Sequence, residues 1–168
     1  MVAEPAQRML RGLQWLEDGL LVAAVVAMVV LAGLQIVLRG ALGGGILWIE
    51  PLLRALVLWI GMLGALVASR TGQHIAIDVL TSALPAGWRR LLRAAASAFT
   101  ALVCAGLAWH AGRYVALEYE FAEAAFADVP SWAVVLILPV VFGLIGLRYA
   151  AFTVAFLRGR EPFGQVPS

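Results

Sequence analysis

The chain has 168 residues, of which 63% are apolar and only 13% charged, with a mean hydropathy of +0.95. Soluble domains are about 25% charged and a short chain has much surface to cover per unit of core, so an ordinary water-soluble fold is excluded, as is a disordered chain, which needs low hydrophobicity and high net charge. The net charge is +2 and all twelve basic residues are arginines dispersed between apolar runs, a pattern of membrane topology and not of nucleic-acid binding.

A membrane-crossing helix takes about 20 apolar residues. The length therefore holds about four or five crossings and excludes a transporter of two long pseudo-symmetric halves. The first run, Gly19 to Leu38, has 20 uncharged residues between Asp18 and Arg39. It is longer than the apolar region of a signal peptide, about 7–15 residues, and the following LRGALGGG is a poor cleavage site. A retained span over 19–38 is predicted, followed by a glycine-rich turn. A second span is predicted over 50–69. Glu50-Pro51 reads as its start, with Glu50 at or near the N-cap and Pro51 at N1. Arg54 falls in the first turn, where a long side chain snorkels to the interface.

Arg70 to Arg93 is too charged to cross and too apolar for a solvated loop. A surface-lying helical segment over about 73–92 fits it, with Trp88 and the arginines at headgroup level. The third span is predicted over 94–112, where ten of 19 residues are Ala or Gly. Small residues let membrane helices approach closely. A second interfacial segment is predicted over 113–128, which carries Glu118, Glu120, Glu123 and Asp128 among tyrosines and phenylalanines. The fourth span, 129–148, contains Pro139, which predicts a kink, and Tyr149 to Leu157 can extend it. The fold class is thus all-α: an integral membrane four-helix protein with interfacial amphipathic helices.

With the N-terminus inside, Arg8, Arg11, Arg70, Arg89, Arg90, Arg93, Arg148, Arg158 and Arg160 face inward, nine in all. Arg39 and Arg113 face outward, joined by Arg54 at a helix end. The positive-inside rule then puts both termini in the cytoplasm.

Two acid–base pairs stand four apart, the spacing of neighbours on one helix face. Glu50 and Arg54 read either as a pair that faces a partner or as one that fixes helix depth at the interface. His74 and Asp78, with Arg70 on the same stripe, read as a polar contact with another subunit or as a solvated face. Trp59 lies deeper than the other tryptophans and reads as a packing anchor. Cys104 stands alone, which excludes an intrachain disulfide and a multi-thiolate metal site. His74 and His110 fall at opposite membrane faces, which argues against a haem held by both. No nucleotide loop, nucleophile–base pair or metal motif is present. The sequence therefore offers no catalytic, cofactor-binding or metal-binding residue, and an enzyme is not expected.

Trp48-x-Glu50, Arg54, Trp59, Gly64-Ala65, Arg70, Gln-His74-Ile-x-Ile-Asp78, Leu84-Pro85 and Arg89-Arg90 together resemble the small membrane subunit of TRAP transporters, the DctQ-like family. Pro130-x-Trp132, Leu138-Pro139 and Arg148 are similar to the family's ending. The resemblance spans roughly residues 10–158, and 48–78 is its specific part. Pro51 stands where the family often has a second acid, and Ala55 where it often has an aromatic residue. The resemblance implies a bacterial inner-membrane subunit of a sodium-driven, binding-protein-dependent secondary transporter for organic acids. Its expected partners are a large multi-span permease, which it braces, a periplasmic binding protein and membrane lipids. Glu50, Arg54, Trp59, Arg70, His74 and Asp78 are the candidates for subunit contact or local architecture. Two rivals remain at this point: a membrane anchor of a haem or quinone redox complex, and a small homo-oligomeric proton-coupled exporter with Glu50 as proton carrier.

Overall fold

The computed structural model describes residues 4–42, 46–70, 86–121, 124–126 and 129–159. His74, Asp78 and the segment 71–85, which holds most of the first predicted interfacial stretch, lie outside the described residues. The described elements are α1 (Glu4–Leu42), α2 (Ile49–Ala68), α3 (Ala86–Phe121), β1 (Ala124–Phe126), β2 (Val129–Pro130), α4 (Ser131–Val135) and α5 (Ile137–Leu157). Four helical stretches among them are long and apolar enough to cross a membrane: Gln14–Ala41, Ile49–Ala68, Arg90–Phe121 and Ser131–Leu157. The chain is an all-α, four-helix membrane protein.

The helices run past the apolar stretches that mark them in the sequence. α3 has 36 residues, about 54 Å at 1.5 Å per residue, against a hydrocarbon core of about 30 Å. Within the segment 113–128, residues 113–121 continue α3 as helix, and β1 and β2 pair antiparallel. In that strand pair Ala124 pairs with Pro130 and Phe126 with Val129, with a register irregularity between them. Interleaved charges and aromatics suit a helix that lies on a membrane and one that projects from it equally, so composition does not fix the axis.

The start of α2 is set by Trp48, whose carbonyl accepts the first helical bond from the Leu52 N–H at 3.3 Å. Glu50 is the second helical residue and Pro51 the third, two positions later than expected. Pro51 costs nothing there, because the first four N–H groups of a helix have no intrahelical acceptor.

The chain forms two compact units, Met1–Val67 with Arg113–Ile137 and Ala68–Gly112 with Leu138–Ser168. In the first, α2 has a buried and an exposed face. Ile49, Leu63 and Leu66 are buried, while Glu50, Arg54, Val57, Gly61 and Ala65 form an exposed stripe on the other side. Tyr119 near the end of α3 meets Trp132 of α4 edge-on, with ring centroids 5.8 Å apart.

In the second unit, α3 offers a face of small residues: Ala94, Ser97 and Cys104 are all buried. The facing stripe of α5 is Val141, Ile145, Gly146 and Tyr149, also buried. Gly146 is a point of close approach. A Cβ there would stand 3.4 Å from Cys104 Cβ and 3.7 Å from the Ala101 carbonyl oxygen. Small residues on both helices let their backbones meet, which is how helices gain contact where lipid removes the hydrophobic drive. Thr100 and Thr153 donate their hydroxyls to the carbonyls of Ala96 and Tyr149, one turn back, at 3.0 and 2.9 Å. Both hydroxyls are thereby satisfied without water.

Candidate functional site

Glu50 and Arg54 form an ion pair, Nη2 to Oε1 at 3.0 Å. The acid precedes the base by four residues and sits in the first turn, so both pair geometry and helix dipole favour it. The Arg54 and Glu50 side chains are 78% and 58% exposed. In water an exposed i,i+4 pair stabilises by only about 0.3–0.5 kcal/mol. Arg54 lies on the exposed stripe of α2 with Gly61 and Ala65, so the pair faces away from the chain's own packing.

Trp59 has a different setting. Its indole Nε1–H donates to the Val134 carbonyl at 3.0 Å, joining positions 75 residues apart. Val134 belongs to the short helix α4, which stops at Val135. Four residues on, Pro139 supplies no N–H and its ring crowds the carbonyl of Val135, so a continuous helix breaks here. The N–H of Leu136 still reaches the Trp132 carbonyl at 3.0 Å, and the chain resumes as α5 at Ile137. Backbone groups exposed by such a break inside a membrane need new partners, and the Trp59 indole is one. The same ring lines an open apolar cleft of about 320 Å³ formed by Leu52, Ala55, Leu56, Trp59, Val129, Ala133 and Val134.

Arg70 follows α2 and is half-buried and partnered. With His74 and Asp78 outside the described residues, the proposed stripe is represented by Arg70 alone. Among the described residues, no group of three or more His, Cys, Asp or Glu is placed to hold a metal ion.

The structure adds a pair that local spacing does not signal. Arg148 Nη1 donates to Ser69 Oγ at 2.7 Å. Ser69 is buried just past the end of α2, and Arg148 lies inside α5, nine residues before its end. A cation at this helix end also complements the negative pole of the α2 dipole.

Residues 14–159 match the family described as Tripartite ATP-independent periplasmic transporters, DctQ component. The chain belongs to the DctQ family. It is accordingly a multi-pass protein of the inner membrane. Among relatives, it is 28% identical over 139 residues to the C4-dicarboxylate TRAP transporter small permease protein DctQ of Pseudomonas aeruginosa, covering 72% of this chain and 63% of that protein. It is 28% identical over 149 residues to the ectoine TRAP transporter small permease protein TeaB of Halomonas elongata, covering 88% of this chain and 77% of that one. It is 29% identical over 128 residues to the sialic acid TRAP transporter permease protein SiaT of Haemophilus influenzae, covering 76% of this chain but only 21% of that protein.

Proposed function

We propose that this DctQ-family chain is the small membrane subunit of a TRAP-type secondary transporter and acts as a scaffold and anchor for a large multi-span permease. A periplasmic binding protein would deliver the substrate to the complex, an organic acid, and a sodium gradient would drive uptake. The large permease would hold both substrate and ion. On this reading the chain is not an enzyme, and its own residues serve subunit contact and placement in the bilayer.

The observation that carries the reading is the SiaT relation. Most of this chain aligns with about a fifth of a much longer permease, so in that protein the matching part is continuous with a far larger remainder. In the present chain, Arg54, Gly61 and Ala65 make up an exposed face of α2. An exposed ion pair above small residues in a membrane helix suits a close-packed helix of a partner better than lipid chains. Glu50 is bound to Arg54, which speaks against a proton carrier of its own.

The test is purification from native membranes in mild detergent. A multi-span permease should accompany the chain, and Arg54→Ala should lower its recovery and the uptake rate several-fold without changing substrate preference. A stable lone protein, or a changed substrate profile with assembly intact, would overturn the scaffold role.

A further inference from the structure

Charge is divided unequally along the chain. The residues of the unit Ala68–Gly112 with Leu138–Ser168 include seven arginines and two acids, a net of +5; the other unit has five arginines and eight acids, a net of −3. The two acids of the basic unit, Asp78 and Glu161, lie outside the described residues.

Within the basic unit the first turns of α3 meet the end of α5. Gly159 closes α5 in the left-handed conformation, φ 72°, and its N–H reaches back to the Phe156 carbonyl at 3.1 Å. A Cβ at Gly159 would stand 3.4 Å from Nη1 of Arg90 and 3.6 Å from its Cζ. The Arg90 guanidinium therefore packs against the helix cap at Gly159, whose neighbour in the chain is Arg158. Both arginines are exposed, and neither side chain has an ion pair or hydrogen bond to another described residue. The carbonyl pole of α5 favours one cation at this place. It does not neutralise a second. Bringing like charges together costs free energy unless an anion sits among them. Exposed apolar side chains stand at the same ends: Trp88 and Leu91 on α3 and Leu157 on α5. Tryptophan and arginine side by side at a helix end mark headgroup depth, and a free anion has no use for the leucines.

We propose that Arg90 and Arg158 form a binding site for the phosphate-bearing headgroup of an anionic phospholipid, flanked by Trp88, Leu91 and Leu157. Each arginine at an anionic lipid surface contributes a factor of about five in affinity. Loss of both lowers binding about 25-fold. The proposal does not rest on the transporter reading.

The test is native mass spectrometry of the full chain, with any co-purifying partner, in neutral detergent. It is titrated with phosphatidylglycerol, with phosphatidylcholine and with inorganic phosphate. The native protein should retain phosphatidylglycerol over phosphatidylcholine, and inorganic phosphate should not displace it. In the Arg90→Gln/Arg158→Gln variant the preference should fall about 25-fold, while Arg39→Gln/Arg113→Gln, in the other unit, should keep it. Arg158→Gln alone lies beyond α5, spares the fold and should lower the preference about fivefold. An unchanged preference in either Arg158 variant, equal retention of phosphatidylcholine, or full displacement by inorganic phosphate would overturn the proposal.

Discussion

Trp59 shows how one side chain can serve two purposes in a membrane helix. Its ring lines the apolar cleft beside α4, and its N–H holds the Val134 carbonyl. Trp59→Phe keeps most of the ring and deletes the donor, so it isolates the hydrogen bond. The expected loss is about 1 kcal/mol, the usual contribution of one hydrogen bond. A shift in unfolding midpoint in detergent reads it, and an unshifted midpoint would mean that the carbonyl finds another donor. Gly146 gives a second, graded case. At 3.4 Å from Cys104 Cβ, a single methyl is in ordinary contact, so Gly146→Ala should unfold close to the native midpoint. Gly146→Leu has no room between α3 and α5 and should cost about 1–3 kcal/mol in the same assay.

At the scale of elements, the Arg148–Ser69 hydrogen bond secures the end of α2 to the middle of α5. A guanidinium bonded to a hydroxyl contributes about 1.5–3 kcal/mol, and a stranded buried partner costs further. The pair is best measured as a cycle of Ser69→Ala, Arg148→Met and the double variant. The double variant should be little less stable than Arg148→Met alone; strict additivity of the two losses would show that the side chains do not act together. This pair also marks where the sequence is and is not readable. Apolar runs bounded by charges locate the spanning helices, because the bilayer demands an uninterrupted apolar length. Glu50–Arg54 is readable because it is local, four residues on one helix. Arg148 reads as the end of a span because nothing nearby answers its charge; its partner is 79 residues away, and no periodicity points to it. Trp59 is legible as an anchor by its depth, but its acceptor follows from the break at Val135, which is a property of the folded backbone. The length of α3 escapes the sequence for another reason: amphipathic composition is indifferent to the direction of a helix axis, so nothing in 113–121 shows that the helix continues.

For the molecule as a whole, parity and charge make one joint prediction. Four crossings return the chain to the side on which it began, so both termini share a side whichever way the protein inserts. The sign is then set by arginines near the span ends, and acids weigh little. Of the twelve arginines, only Arg39, Arg54 and Arg113 belong to the ends and connections of the opposite side. A bias this large is expected to hold both termini in the cytoplasm. Green fluorescent protein fused to either end should fluoresce, and alkaline phosphatase fused there should be inactive; phosphatase fused after Phe121 should be active. If the fusions at the two termini report different sides, the number of crossings is odd and the four-span reading fails. If they agree on the periplasm, the spans stand but the arginines do not set the orientation. Adding arginines beside Arg39 tests that second case directly, since weight on that loop should begin to invert the protein only if arginine balance governs it.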